Sequence, residues 1–153
     1  MGKEERIIRE RAEMEEIMRE CRVCRLGMVD GDEPYVVPMS FGYDGKSIYF
    51  HCGLSGRKLD ALRRNPRVCV EFDRLDGMIT SDRGCGWSMR FRGVLAFGRA
   101  VIVEGREEKI RGLDVILAQY TPGDFTYPEA TLDRTGMIRV DVEKMTGRKR
   151  EQK

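Results

Sequence analysis

Four consecutive residues of types suited to holding an anion, Ser55-Gly56-Arg57-Lys58, open a predicted helix over residues 55–64. Ser55 can cap that helix with its hydroxyl, and Gly56 lets the backbone approach a ligand closely. The free N–H groups of a first helical turn point outward and carry the positive end of the helix dipole. Arg57 and Lys58 add one forked and one compact cation. The turn therefore predicts a phosphate site; a short surface helix with solvated basic residues is the alternative.

A hairpin precedes this turn and would form the surface beside it. Apolar residues alternate over 35–43, an Asp-Gly pair at 44–45 is a hairpin turn signal, and the return strand covers 48–51. Pro38 lies inside the first strand and lacks the N–H that a ladder needs, so we expect this strand at a sheet edge or locally unpaired. The free backbone at 38–40 then needs another partner, either a planar ligand with ring donors and acceptors or water.

Length and charge limit the class of protein. At 153 residues the chain is most simply one domain, over residues 1–153, with a core large enough to fold without disulfides. Its 28 Lys and Arg residues against 26 Asp and Glu residues give a formal net charge of +2, which argues against a dedicated nucleic-acid binder. We find no secretory signal and no apolar run of about 20 residues, so we expect a cytoplasmic protein with no membrane partner.

Five cysteines, an odd number, argue against a disulfide framework in a chain without a signal. Cys21 and Cys24 form a Cys-x-x-Cys pair at the end of a predicted helix. A thioredoxin-type redox pair begins a helix instead, and a zinc site would need two more ligands from a chain with a single histidine. We therefore expect structural packing for this pair and no metal site, with redox sensing and metal binding as the alternatives.

Periodicity along the chain predicts a mainly β protein with peripheral α-helices. The predicted helices cover residues 4–20, within an N-terminal helical segment 1–20, then 55–64 and 106–120. The predicted strands cover 23–29, 35–43, 48–51, 67–72, 87–103 and 137–142. The remaining segments are predicted to be a loop at 74–86, an irregular stretch at 122–135 and a frayed basic tail at 146–153. Gly93 and Gly98 interrupt the long strand and indicate a bulge, a bend or the close approach of a ligand.

Strands that do not alternate regularly with helices favour a small antiparallel barrel over a doubly wound fold. The chain contains neither the Gly-x-Gly-x-x-Gly fingerprint nor a Walker A sequence. Taken together, motifs across nearly the whole chain resemble the FMN-binding split-barrel family related to pyridoxamine 5′-phosphate oxidase, in the branch named after nitroimidazole-resistance proteins. The motifs that match, in family order, are Arg25-Leu26, Tyr35-Val36-Val37-Pro38, Ile48-Tyr49-Phe50-His51, Gly56-Arg57-Lys58-Leu59-Asp60, Asn65-Pro66-Arg67-Val68, Cys85-Gly86-Trp87, Phe97-Gly98-Arg99-Ala100 and Met145-Thr146-Gly147-Arg148.

The resemblance implies a six-stranded antiparallel split β-barrel of the FMN-binding type, acting as a homodimer with two FMN molecules at the subunit interface. In the family pattern, the turn at 55–58 matches the phosphate grip and the strand at 37–40 lies along the flavin ring. The strand end at 51–52 matches the position between ring and phosphate, and the segment 85–88 matches a region that reaches the site from the long strand, possibly across the dimer. The implied cofactor-binding residues are Val37, Pro38, Met39, Ser40, His51, Cys52, Ser55, Gly56, Arg57, Lys58, Trp87 and Ser88.

The same resemblance implies chemistry that belongs mainly to the cofactor. We expect an NAD(P)H-dependent flavin or nitro reductase-like oxidoreductase that passes electrons to a small aromatic or nitro acceptor. His51, the only histidine, is the candidate catalytic residue, as a proton donor or by positioning the acceptor; a strand-end residue with a satisfied hydrogen bond is the alternative. Further alternatives are a non-catalytic FMN-binding protein for flavin storage or redox sensing, a pyridoxamine 5′-phosphate oxidase-like enzyme, and the same fold holding a deazaflavin or haem.

Two departures from the family pattern bear on these expectations. Gly93 stands where many relatives have serine, which removes one polar contact to the flavin. The arginine-containing signature at the C-terminus of true pyridoxamine-phosphate oxidases is absent. Vitamin B6 oxidation is therefore disfavoured, because the substrate phosphate would lack its partner.

Overall fold

The computed structural model describes residues 6–151 and places their strands in one antiparallel sheet surrounded by helices. The strands are β1 (Ile7–Ile8), β2 (Cys24–Asp30), β3 (Glu33–Met39), β4 (Gly42–Tyr43), β5 (Ser47–Cys52), β6 (Arg67–Ile79), β7 (Ser88–Val103) and β8 (Gly136–Arg150). The helices are α1 (Arg11–Glu20), α2 (Arg57–Arg64), α3 (Arg106–Ala118) and α4 (Glu129–Leu132). The predicted mainly β split barrel with peripheral helices is confirmed: its six strands are present, and the two-residue strands β1 and β4 add to the sheet.

The order of neighbours in the sheet is β3-β2-β6-β7-β8-β5-β4, with β1 paired to the second half of β8. The long strand β8 pairs with β7 along nearly its whole length and, through its first residues, with β5 on the other side. β3 stands at one end of the order, and β2 is its only partner among the described strands. The prediction that the strand carrying Pro38 lies at an edge is therefore confirmed.

The larger part of the core lies on one face of the sheet, because alternate residues of each strand point to opposite sides, and a smaller buried cluster lies between β5 and α3. On β7, Val94 is buried whereas the adjacent Leu95 is 38% exposed. Within the core the rings of Phe41 and Phe72 meet edge to face, with their centroids 4.9 Å apart. Helix α1 covers this core with its apolar side, where Ile17 is among the buried residues. The opposite face of β7 is left apolar and exposed.

A close backbone contact requires glycine at one of the two glycine positions of β7. The pairing of β7 with β8 shifts register between Phe97 and Gly98. A Cβ added to Gly98 would lie only 2.1 Å from the carbonyl oxygen of Asp141, so no other residue fits without moving the backbone. The predicted bulge is confirmed at Gly98, where backbone rather than a ligand approaches closely, whereas Gly93 continues the ladder on both sides without a shift.

Two residues after α3 join three separate parts of the fold. The Gln119 side-chain amide lies within hydrogen-bond distance of the main-chain oxygens of Met18, Arg19 and Cys21, at 3.2, 3.0 and 2.8 Å, and so serves the free carbonyls at the end of α1. The Tyr120 hydroxyl donates to the carbonyl of Arg22 at 2.8 Å and accepts from the Phe41 N–H at 3.0 Å. The break between β3 and β4 is thereby held against the start of β2.

Several predicted boundaries are wrong, and strand pairing explains the first three that follow. Helix α1 begins at Arg11 rather than residue 4, because residues 7–8 pair with Gly147 and Arg148 of β8; residues 1–5 lie outside the described part. The predicted loop at 74–86 is in part strand, since β6 pairs with β7 up to Ile79. The tail predicted to fray from residue 146 is paired with β7 as far as Arg150. The stretch 122–135 contains the short helix α4.

Over residues 6–151, none of the helices combines the length and apolar character needed to cross a bilayer. Within the same residues, no three His, Cys, Asp or Glu side chains are grouped closely enough to hold a metal ion.

Candidate functional site

The structure separates the two cations that the sequence assigns jointly to a phosphate. The Arg57 guanidinium donates to a carboxylate oxygen of Asp30 and to one of Glu33, each at 2.7 Å, and lies 4.3 Å from the centre of the Tyr35 ring. Its hydrogen bond holds the pKa of Asp30 below the usual range. The fork of Arg57 is therefore already occupied by the turn between β2 and β3, and the prediction that it is available for a phosphate is not supported by its contacts.

Lys58 has a different environment. Its ammonium lies 3.2 Å from the Met39 sulfur, and it has no carboxylate partner among the described residues. It also lies close enough to Cys52 to offset part of the increase in that thiol's pKa, which burial causes. Three predicted site residues from β3, β5 and α2 are thus brought together around one unpaired positive charge.

The start of α2 differs from the predicted cap. Gly56, with φ of 127°, occupies the N-cap position, and no side chain caps the helix. The expectation that Ser55 is the cap is therefore wrong, since the chain turns one residue later through the backbone region that favours glycine. The consequence is that N–H groups of the first turn lack a side-chain acceptor, and Ser55 is exposed beside them.

The edge of β3 supplies unpaired main-chain groups to the same region. Along β3, Val37 and Met39 pack against the core, whereas Pro38 and Ser40 are exposed. Because β2 occupies only one side of the strand, the N–H and C=O groups that point the other way have no strand partner among the described residues. This edge ends at Met39, beside the Lys58 ammonium.

His51 lies near the end of β5, opposite Met137, with an exposed side chain. Its imidazole makes no hydrogen bond or ion pair with other described residues, so no protein contact supports the alternative of a structural histidine. Cys52 follows at the end of the strand and is half-buried. His51 is therefore available to a ligand, although no contact of its own ties it to Lys58.

Trp87 and Ser88 are not brought to this region within one chain. One row of paired residues crosses the sheet from β3 to β7 through Pro38, Arg25, Glu71 and Leu95. Ser88 lies seven positions before Leu95 on β7. At about 3.3 Å per residue, that places Ser88 roughly 23 Å along the strand from the row that contains Pro38. The exposed indole of Trp87 donates to the Ser81 carbonyl at 2.7 Å, at the end of the β6–β7 hairpin. These two residues can join the Lys58 region only from a second subunit.

The Cys21 and Cys24 thiols are buried and contact main-chain carbonyls, as is typical of structural cysteines. Cys21 donates to the Asp73 carbonyl and Cys24 to the Met39 carbonyl, and both side chains are buried. Burial, followed by the charge of Asp73, raises the pKa of Cys21 to about 11, and burial raises the pKa of Cys24 further. The thiolate fraction of both groups is small at neutral pH, which supports packing over redox sensing.

We expect only the exposed Cys85 to react rapidly with a thiol reagent such as dithionitrobenzoate in native protein at pH 8. Cys21 and Cys24 should react on the timescale of unfolding, because both are buried and their raised pKa values keep them protonated. The total number of reactive thiols is measured on guanidinium-unfolded protein, in which all five react. Fast reaction of two further thiols that Cys21→Ser and Cys24→Ser remove would contradict the assignment.

Sequence reasoning missed the residues that occupy Arg57. Asp30 and Glu33 fall between the predicted strands 23–29 and 35–43, and nothing in their local pattern indicates a partner in α2. The signal that was present is charge: two acidic residues flank Gly31-Asp32, and two arginines of α2, Arg57 and Arg64, both reach Asp30.

Comparison with known proteins identifies a matching family and solved structures of similar fold. Residues 10–149 match the family model described as Pyridoxamine 5′-phosphate oxidase. The crystal structure of a candidate 5-nitroimidazole antibiotic resistance protein from Bacteroides thetaiotaomicron VPI-5482 is 33% identical, covers 95% of this chain and 90% of that chain, and superposes with a TM-score of 0.82.

Two further similarities are more limited. The FAD and heme binding protein from Mycobacterium smegmatis has a TM-score of 0.87 at 18% identity, covers 96% of this chain and 74% of that one, and shares the fold. An uncharacterized protein from Rhizobium meliloti (strain 1021) is 33% identical over 49 residues, so the match spans 32% of that protein's length.

Proposed function

This chain belongs to the pyridoxamine 5′-phosphate oxidase family, and from that we propose that it binds FMN as a homodimer and acts as an NAD(P)H-dependent flavin or nitro reductase-like oxidoreductase. The observation that carries the proposal is the Lys58 ammonium, which lies beside the open first turn of α2 without a carboxylate partner among the described residues. A buried or half-buried cation without a counter-ion is costly, and an anionic ligand would supply one.

The residues around Lys58 fit the two ends of FMN. Lys58 and the free N–H groups after Gly56 would hold the phosphate, and the unpaired edge of β3 at Pro38 to Ser40 would face the ring's donors and acceptors. When bound, FMN supplies hydride and single-electron transfer. The exposed His51 would position an acceptor or supply a proton, since its imidazole has no other described partner.

The contacts of Arg57 favour FMN over FAD. A dinucleotide would bring a second phosphate past the first, and Arg57 is the next cation along the turn. It is committed to Asp30 and Glu33, whose carboxylates would repel a further anion. One free cation is suited to one terminal phosphate, even though FAD is the flavin named for the Mycobacterium smegmatis structure.

The exposed face of the sheet supports the homodimer. Val36 is 60% exposed, and Val29, Phe97 and Val101 on neighbouring strands are each more than a third exposed. Of these, Val29, Val36 and Phe97 line a hollow of about 370 Å³, together with Gly27 and Cys69. An apolar face of this kind is typical of a subunit interface, and a second copy would also bring Trp87 and Ser88 within reach of a flavin.

The proposal is tested on the purified protein in three measurements. Flavin absorbance, with the cofactor released by heating and identified as FMN by chromatography, would support FMN binding; release of FAD or no flavin would contradict it. Bleaching by NADPH or NADH in stopped flow, followed by reoxidation with a nitroaromatic, would support the reductase, whereas a flavin that neither nucleotide reduces would favour storage or redox sensing. Sizing that gives a flavin-loaded monomer would contradict the shared site.

A further inference from the structure

The antiparallel ladder between β2 and β3 stops short of the point where the chain passes into β4. Its last pair joins Cys24 to Met39. In the same register Arg22 would stand opposite Phe41, because each step forward along one strand is matched by one step back along the other. Both residues lie outside the strands, so strand pairing does not fix the segment from Ser40 to Phe41.

The hydroxyl of Tyr120 lies in the gap where the next bond of that ladder would form. It accepts a hydrogen bond from the Phe41 N–H at 3.0 Å and donates one to the Arg22 carbonyl oxygen at 2.8 Å. One oxygen atom thus bridges two main-chain groups that a continued ladder would join directly. The end of β3 is therefore spaced from the start of β2 by a side chain that enters from the segment after α3.

Tyr120 is itself held in place from two sides. The Arg22 guanidinium lies 5.9 Å from the centre of the Tyr120 ring and donates to the Gln119 carbonyl oxygen at 3.2 Å. The side-chain amide of Gln119 is tied to main-chain oxygens at the end of α1. Burial raises the pKa of the Tyr120 phenol, so the hydroxyl keeps its proton at neutral pH. The bridge therefore has a fixed position and both of its hydrogen bonds.

The bridge also decides where the N–H of Ser40 points. Residues 40 and 41 belong to neither a helix nor a turn, and successive residues of an extended chain direct their main-chain groups to opposite sides. Because the Phe41 N–H is directed at Tyr120, on the β2 side, the Ser40 N–H is directed at the open edge. It has no main-chain partner there among the described residues. Pro38 has no N–H, so Ser40 supplies the donor for this part of the edge.

We propose that Tyr120 is a positioning residue for the flavin ring: its hydroxyl sets the place at which the Ser40 N–H meets an acceptor of the ring. The inference rests on the proposed function, because it takes the ring to lie along the edge of β3. Tyr120 lies on the opposite side of the segment and acts only through the main chain of Ser40 and Phe41. Without the hydroxyl, the segment loses the contact that orders it before the ligand arrives.

Titration of apo-protein with FMN and with riboflavin, which lacks the phosphate, separates this role from the phosphate site. We expect Tyr120→Phe to weaken the binding of both ligands by the same factor, about two- to tenfold, as for the loss of one hydrogen bond. The absorption bands of the bound flavin should shift as well, because they respond to hydrogen bonds at the ring. Lys58→Ala, in contrast, should weaken the binding of FMN alone.

Tyr127→Phe is the matched control for Tyr120→Phe. It removes a hydroxyl that donates to Asp114 on α3 at 2.8 Å and has no contact with the edge of β3. Both affinities and the flavin spectrum should stay at their native values. A thermal melt verifies that each variant is folded. Unchanged affinities and an unchanged spectrum in folded Tyr120→Phe, or a loss confined to FMN, would overturn the inference.

Hydrogen exchange on the native protein tests the same geometry without a substitution. The Phe41 N–H should be protected with and without FMN, whereas the Ser40 N–H should exchange rapidly in apo-protein and slowly once FMN is bound. These two amides decide the matter if Tyr120→Phe does not fold: an unprotected Phe41 N–H, or a Ser40 N–H that bound FMN does not slow, would overturn the inference. A native protein that binds neither flavin loses the proposed function instead.

Discussion

Lys58→Ala is expected to weaken FMN binding by roughly 1.5–3 kcal/mol, a factor of about 10 to 150 in Kd. The loss follows from the geometry, because Lys58 is the cation beside the first turn of α2 whose only described side-chain contact is a thioether sulfur. Truncation removes a charge-assisted contact and leaves the phosphate with backbone N–H groups alone. Flavin fluorescence titration of apo-protein measures the change directly.

Arg57→Ala is the matched control for Lys58→Ala. It removes an equal charge from the adjacent residue, but that charge is paired with Asp30 and Glu33 and stacked on Tyr35. We expect a Kd within about threefold of the native value, since exposed ion pairs contribute only about 0–1 kcal/mol. If the two variants lose affinity equally, the phosphate is held by net charge rather than by the Lys58 position. If only Arg57→Ala loses affinity, the site is wrongly placed.

Gly98→Ala is expected to destabilise the fold by about 1–3 kcal/mol or more, because the new methyl group would lie 2.1 Å from the Asp141 carbonyl oxygen. The two nearest atoms belong to the Asp141 backbone, so a side-chain rotation does not relieve the clash. For a chain of this size, each 1 kcal/mol lowers Tm by about 2–4 °C, which a thermal melt followed by circular dichroism resolves.

Gly93→Ala serves as the comparison on the same strand. Its Cβ would meet only the Phe72 carbonyl oxygen, at 3.4 Å, and its backbone needs no positive φ. We expect a change within about 1 kcal/mol, in the stabilising direction if the loss of glycine entropy in the unfolded chain dominates. If Gly98→Ala lowers Tm no more than Gly93→Ala does, the close contact predicted at Gly98 does not require glycine.

The sequence predicted the strands better than their ends. Alternation and Pro38 were sufficient to place β3 at an edge, because a missing N–H excludes a central strand wherever it occurs. The extents of β6 and β8 were underestimated, since the residues beyond 72 and 142 are charged and lack alternation. Their strand conformation comes from pairing with β7, a long-range interaction that no local pattern contains.

The sequence predicted an anion-binding site at this turn, but not which of its two cations is free to bind the ligand. Residue types at 55–58 indicated an anion-binding turn, and Lys58 lies where that prediction needs a free cation. Residue type alone predicts the same role for Arg57, because both residues are basic and adjacent. Neighbouring helical residues point in different directions, about 100° apart, so only the packing of α2 on β2 and β3 separates the cation that is paired from the one that is free.

The position of β8 between β7 and β5 has a consequence for how the protein is made. Among the described strands, the hairpin of β4 and β5 joins the rest of the sheet only through β8, which follows the other seven in chain order. More than 80 residues separate Cys52 from its partner Gly136, so this pairing forms only after β6, β7 and α3 have been synthesised. Until then β5 has no sheet neighbour beyond its own hairpin, and an unpaired apolar strand of this kind is open to non-native pairing during synthesis.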